Sequence, residues 1–124
     1  MKFRIDVPIY KTGVYFLIGE SDEAVTAYVQ RKTYGHWKDG IPLDEGVRAR
    51  VLLHESRLSF VRITQDDIAY IPCISHEIMH TVFHILGGVN MTHVFESEEA
   101  YTYLLEYLLD QYIKKVKINF VVKN

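Results

Sequence analysis

The rhythm of apolar and polar positions changes several times along the chain, and each rhythm marks an element. Phe3 to Tyr10 is rich in Ile, Val, Phe and Tyr and reads as a β-strand. Lys11-Thr12-Gly13 is a short turn. Val14 to Ile18 is an unbroken apolar run that reads as a second strand, the hairpin partner of the first. Ser21 stands where a helix cap is expected, followed by Asp22 and Glu23, whose negative charge suits the positive end of the helix dipole. Ala24, Val25, Ala27, Tyr28 and Val29 give that helix an apolar side as far as about Arg31. Tyr34 to Gly46, with Gly35, Gly40, Pro42 and Gly46, reads as a loop that either covers a cleft or lies exposed with one anchored aromatic, Trp37.

Val47 to His54 and Arg57 to Ile63 form a second hairpin around Glu55-Ser56, although residues 58–63 do not alternate cleanly between polar and apolar. Gln65-Asp66-Asp67 is a turn. Ile68 to Ile71 is a short extended run, placed at a sheet edge because Pro72 interrupts a hydrogen-bond ladder. A helix opens at Ser75 or just before it and runs to Leu86, where Gly87-Gly88 stops it. The last long helix starts near Ser97 with Glu98 and Glu99 in its first turn. Its apolar positions are Ala100, Tyr101, Leu104, Leu105, Leu108, Tyr112, Ile113 and Val116, and lysines gather at its end. Ile118 to Val122 is a final strand or a tail. Strands and one helix followed by two helices predict an α+β fold, a small twisted sheet packed on helices. No repeat or linker divides residues 1–124, which reads as a single domain.

Composition narrows the function classes. The chain has 124 residues, of which 48% are hydrophobic and 13% aromatic, enough to build a core and to exclude global disorder. A formal net charge of -2 argues against a nucleic-acid partner, which needs a basic face. No apolar stretch is long enough to predict a membrane span, and the charged N-terminus does not read as a signal peptide. The single cysteine, Cys73, cannot form an internal disulfide, which fits a reducing cytoplasm, and it reads as a small hydrophobe. There are six histidines, and His76, His80, His84 and His93 fall close together, leaving His36 and His54 as surface or hairpin positions.

His76-Glu77-Ile78-Met79-His80 is an H-E-x-x-H motif on a predicted helix. Residues four apart lie one turn above each other on one face, so two imidazoles can address one zinc ion at about 2.0–2.1 Å. Glu77 leaves the helix at another angle, the place for a general base. By chance the motif arises in roughly one chain in two hundred of this length. Its apolar neighbours Ile74, Ile78, Val82 and Leu86 imply a largely buried helix, where polar side chains need partners that a metal would supply. A catalytic zinc takes a third protein ligand. Phe83 and Leu86 stand where a metzincin has Gly and His, so that extension fails. His84, His93, Glu96, Glu98 and Glu99 remain as candidates; His84 reads as a residue that packs or hydrogen-bonds beneath the site.

The motif, followed on the next helix by Glu99-Ala100-Tyr101-Thr102-Tyr103-Leu104, resembles the gluzincin pattern, and in particular small phage- and prophage-encoded zincin-like proteins. The resemblance covers residues 75 to about 109; Tyr103 stands where the family usually has an aspartate. It implies one Zn²⁺ per chain held by His76, His80 and Glu99, with Glu98 and His93 as rivals for the third place. It implies a metallopeptidase that cleaves peptide or protein substrates through a zinc-bound water, with Glu77 as general base. Tyr101, Tyr103, His84 or His93 would stabilise the oxyanion, and the edge run Ile68–Ile71 would pair with an extended peptide. A phage-encoded chain of this kind would act in a host cytoplasm. The alternative is a zinc-containing interaction protein that hydrolyses nothing, which suits the small size.

Overall fold

The computed structural model describes residues 1–92 and 94–117, and it is an α+β structure. Strands β1 (Lys2–Val7) and β2 (Thr12–Ile18) form the expected antiparallel hairpin, with Lys2 opposite Leu17 and Val7 opposite Thr12. Their connection is a 3-10 turn, Pro8–Tyr10, closed by Lys11 in the left-handed region. Helix α1 (Asp22–Lys32) follows, and its cap is as read: the Ser21 hydroxyl accepts from the Ala24 N–H at 3.2 Å.

Strands β3 (Ala49–Leu53) and β4 (Ser59–Ile63) form the second hairpin, with Ala49 opposite Ile63. β4 then pairs parallel with β2, so the four-stranded sheet has the order β1-β2-β4-β3. The path from β2 through α1 and the loop to the second hairpin supplies the crossover that a parallel pair requires.

The sheet is covered on both sides. Val14, Phe16, Ile18, Val61 and Ile63 face helices α2 (Ile71–Gly87) and α3 (Glu98–Val116). Tyr15, Leu17 and Phe60 face α1 and Ile41. This explains the lack of clean alternation in β4, whose five residues are all buried because both faces are covered. Arg62 is buried there too. It donates to Asp22 Oδ1 at 2.6 Å, to the Ile41 carbonyl at 2.8 Å and to the Glu20 carbonyl at 3.0 Å, tying the loop and the start of α1 to the sheet.

Two expectations are overturned. The turn read at Lys11-Thr12-Gly13 falls at Pro8–Lys11 instead, with Thr12 and Gly13 already paired in β2 opposite Val7 and Asp6. Residues 68–71 are not an extended edge strand: Ile68 is helical in backbone, Tyr70 is the N-cap of α2, and the helix begins at Ile71 rather than near Ser75. Pro72 sits in the first turn, where its missing N–H has no partner to lose and its fixed φ suits the helix. The edge strands are β1 and β3. The segment Ile118–Val122 lies outside the described residues. Among the described residues no helix is long and apolar enough to cross a membrane.

Tyr112 ties this junction to the core. Its buried ring meets Phe16 at 5.1 Å and Phe3 at 6.0 Å, and its hydroxyl donates to the Ile68 carbonyl at 2.7 Å. Asp67 pins the same turn, accepting from Arg48 on both carboxylate oxygens and from the Thr64 hydroxyl at 2.6 Å. Arg48 and then Thr64 hold the Asp67 carboxyl below the usual aspartate range. A depressed carboxyl stabilises the fold above its unfolded value, about 3.9, and that contribution disappears as pH falls through the lower, folded value. Asp67→Asn should therefore lower stability at neutral pH and flatten the acid limb of a urea-midpoint profile. A variant profile parallel to that of the parent would refute this.

Candidate metal centre on helix α2

Helical periodicity sets the site. Ile74, Ile78, Val82 and Ile85 fall on one side of α2 and are completely buried against the sheet. At about 100° per residue, His76 and His80 come out on the opposite side. Both are exposed. The expectation that the polar side chains of the motif are buried is thus corrected: of the three, only Glu77 is, at 8% exposure. A flanking apolar run buries a stripe of a helix rather than its full circumference.

His76 and His80 are brought together. Their Nε2 atoms stand 3.3 Å apart, with ring centroids at 5.0 Å and planes inclined at 76°. Two imidazole nitrogens bound at about 2.0–2.1 Å to a tetrahedral ion would stand roughly 3.3–3.4 Å apart. The pair therefore has the bite of a tetrahedral zinc site.

Glu77 lies on the flank of α2 that faces β3. That flank is fixed by His84, whose Nε2 lies 2.9 Å from the His54 carbonyl at the end of β3. Burial lowers the His84 pKa, keeping the ring neutral as the Nε2–H donor. His84 is thus a tether between α2 and the β3–β4 turn. His54 continues the link, with its Nδ1 2.6 Å from the Ser56 hydroxyl and accepting the Ser56 N–H at 3.1 Å. Cys73, one turn before Glu77, shares the flank. Burial, and then the nearby Glu77 and Asp67 charges, push its thiol up, away from nucleophilic use. The spacing of four between positions 73 and 77 was the available signal for this neighbour.

Glu99 is not gathered with the two histidines. Among the described residues no group of three or more His, Cys, Asp or Glu side chains could hold a metal ion. The reason is the phase of α3, which buries Tyr101, Leu104, Leu108 and Tyr112. Glu99 lies about 180° around the helix from Leu108 and is exposed. Glu98, three positions before Tyr101, lies nearer the α2 side, since the Tyr101 ring meets Phe83 of α2 at 5.2 Å. Glu96 is exposed on the turn before α3, and His93 lies outside the described residues.

The expected oxyanion donors are also spread out. The Tyr101 hydroxyl donates to the Met91 carbonyl at 2.7 Å, while Tyr103 is 65% exposed. The 34–46 loop does not cover the histidines. Trp37 packs with the α1-side cluster and donates to the Gly40 carbonyl at 2.8 Å, anchoring the loop on the sheet face opposite α2.

Comparison with the profiles of known protein families, with curated proteins and with solved structures finds no match for this chain.

His84 supplies a direct check. A histidine whose folded pKa is lowered costs stability as pH falls below its unfolded value, about 6.5, toward the folded one. The His84 ring signal in an NMR titration should move at lower pH than an unperturbed histidine. His84→Gln should lessen the stability lost below about 6.5. An unshifted His84 titration would remove the tether reading.

Proposed function

We propose that this chain is a zinc-dependent amide hydrolase acting on peptide or protein substrates. The observation that carries the reading is the 3.3 Å separation of His76 Nε2 and His80 Nε2. Glu77 stands at the adjoining position in the sequence, on the flank of α2 between the histidines and the buried stripe, and is 8% exposed. His76 and His80 would hold the ion through their Nε2 atoms. The third ligand comes from the first turn of α3. Glu99 is the position that the gluzincin resemblance implies, and Glu98 is the one whose helical phase faces α2. Both are exposed, so recruiting either breaks no core packing. His93 is the remaining rival.

When bound, zinc supplies Lewis acidity and makes water acidic near neutral pH. Glu77 takes the proton from the attacking water on a carboxylate oxygen and passes it to the leaving amine. Its burial keeps that carboxylate out of bulk water, and the tether through His84 holds the helix that carries it.

A second reading, a zinc-holding interaction protein without hydrolysis, is supported by the open setting of the histidines. Both rings are exposed, and the described cavities are lined by other residues.

Elemental analysis of the purified chain should find about one zinc per molecule. His76→Ala or His80→Ala should remove it. A folded chain that takes up no zinc would defeat both readings. Glu77→Gln should retain zinc and lower peptide-library cleavage by about 10²–10⁴-fold. Undiminished cleavage would exclude the base, and zinc uptake without cleavage by the parent would select the interaction protein. Of Glu99→Ala and Glu98→Ala, the variant that loses zinc identifies the third ligand.

A further inference from the structure

On its other flank, α3 forms a groove with the turn that follows β1. Ala100, Tyr103 and Tyr107 make one wall, and Val7, Ile9 and Tyr10 contribute to the other, around a cavity of about 530 Å³. Ile9 is 81% exposed and Tyr103 65%. An exposed apolar concavity of this kind marks an interaction surface. It is preformed: the Tyr107 hydroxyl donates to the Asp6 carbonyl at 2.7 Å, fixing the helix against the edge strand.

The groove does not end in apolar surface. Tyr103 and Tyr107 also line a second hollow of about 350 Å³, completed by Glu106 and Asp110. Both carboxylates are exposed. Asp110 has Lys114 at 2.8 Å one turn on, an exposed ion pair of little strength. The surface thus runs from an apolar pocket into an acidic end, and the complementary occupant carries bulky apolar side chains beside lysine or arginine.

We propose that this groove docks a basic amphipathic segment of a partner protein, its apolar side chains against Ala100, Tyr103 and Tyr107 and its cations beside Glu106 and Asp110. This is helix-in-groove recognition, with the acidic end setting orientation. The proposal uses neither His76 nor His80 and stands apart from the zinc reading.

Fluorescence anisotropy of the full chain tests it with a labelled Leu/Lys amphipathic helix of about 14 residues, spaced so that the leucines share one face. A Leu/Glu helix of the same spacing and a scrambled Leu/Lys peptide serve as controls. The Leu/Lys helix should bind at least about tenfold more tightly than either control, and more weakly as salt is raised. Ala100→Trp, which fills the pocket, and the double change Glu106→Lys with Asp110→Lys should each weaken binding by about tenfold or more. The double change is on the surface, so it reports even where Ala100→Trp fails to fold. Equal binding of all three peptides, or binding untouched by the double change, overturns the proposal. A concentration-dependent dimer in sedimentation that Ala100→Trp abolishes would give the groove to a second copy. A chain ending at Lys117 that binds the helix about tenfold better would give it to the chain's own last residues. Either result overturns the partner assignment.

Discussion

All seven residues of β2 and all five of β4 are buried, and the parallel ladder of Val14–Ile18 with Ser59–Ile63 is covered on both faces. Such a pair is stable only with a helical layer on each side. α1 and Ile41 supply one, and α2 and α3 supply the other. This constraint reaches the candidate site directly. α2 must give Ile74, Ile78, Val82 and Ile85 to the sheet, and the phase of an α-helix then leaves His76 and His80 facing water. Glu77 falls between the two sides, at the margin of β3. A pair of exposed imidazoles with a buried carboxylate beside them follows from burying the helix.

The start of α2 is fixed from outside the helix. Tyr112 reaches from the far end of α3 to the Ile68 carbonyl, and Asp67 gathers Arg48 and Thr64 one residue earlier. These bonds satisfy polar groups in the turn leading from β4 into α2, where unpaired groups would each cost about 1–3 kcal/mol. The burial that surrounds the Tyr112 ring also pushes its hydroxyl pKa up, so it remains a donor. The other end of α2 is held by His84 on the His54 carbonyl. The turn that carries His76 and His80 thus lies between two anchored ends, which fixes the two imidazoles relative to the sheet.

The elements were legible where local chemistry decides them. Ser21 with its two following acids caps α1, and Gly87 and Gly88 end α2, whereas the bend between β1 and β2 falls at Pro8–Lys11, ahead of the glycine that suggested a turn. They were misread where tertiary context decides. Pro72 is equally compatible with a strand edge and with a helix first turn, and only the anchored turn before it selects the helix. His76 and His80 were legible as a pair, because their spacing alone brings them together, but not as exposed side chains, because that depends on which stripe meets the sheet. A partner for the two histidines was least legible, and among the described residues no third His, Cys, Asp or Glu joins them. Acidic residues in the first turn of α3 are favoured by the helix dipole whether or not a metal is near. Their presence therefore carries little information about coordination, and only the phase set by Tyr101 and Leu108 separates Glu98 from Glu99.

α3 carries different chemistry on its two flanks for the same reason that α2 does. Its buried stripe, Leu104 and Leu108 above all, fixes the rotation of the helix against the sheet. Tyr101 is then turned to Phe83 of α2, with Glu98 ahead of it at the same flank. Ala100, Tyr103 and Tyr107 are turned to the β1 turn. A chain this short leaves little surface without a neighbour to shape it, and one amphipathic helix between a second helix and an edge strand acquires two surfaces from one rotation. Their separation by the buried stripe means that filling the groove at Ala100 changes the surroundings of β1 rather than those of the histidines, while the rigidity of α3 is common to both.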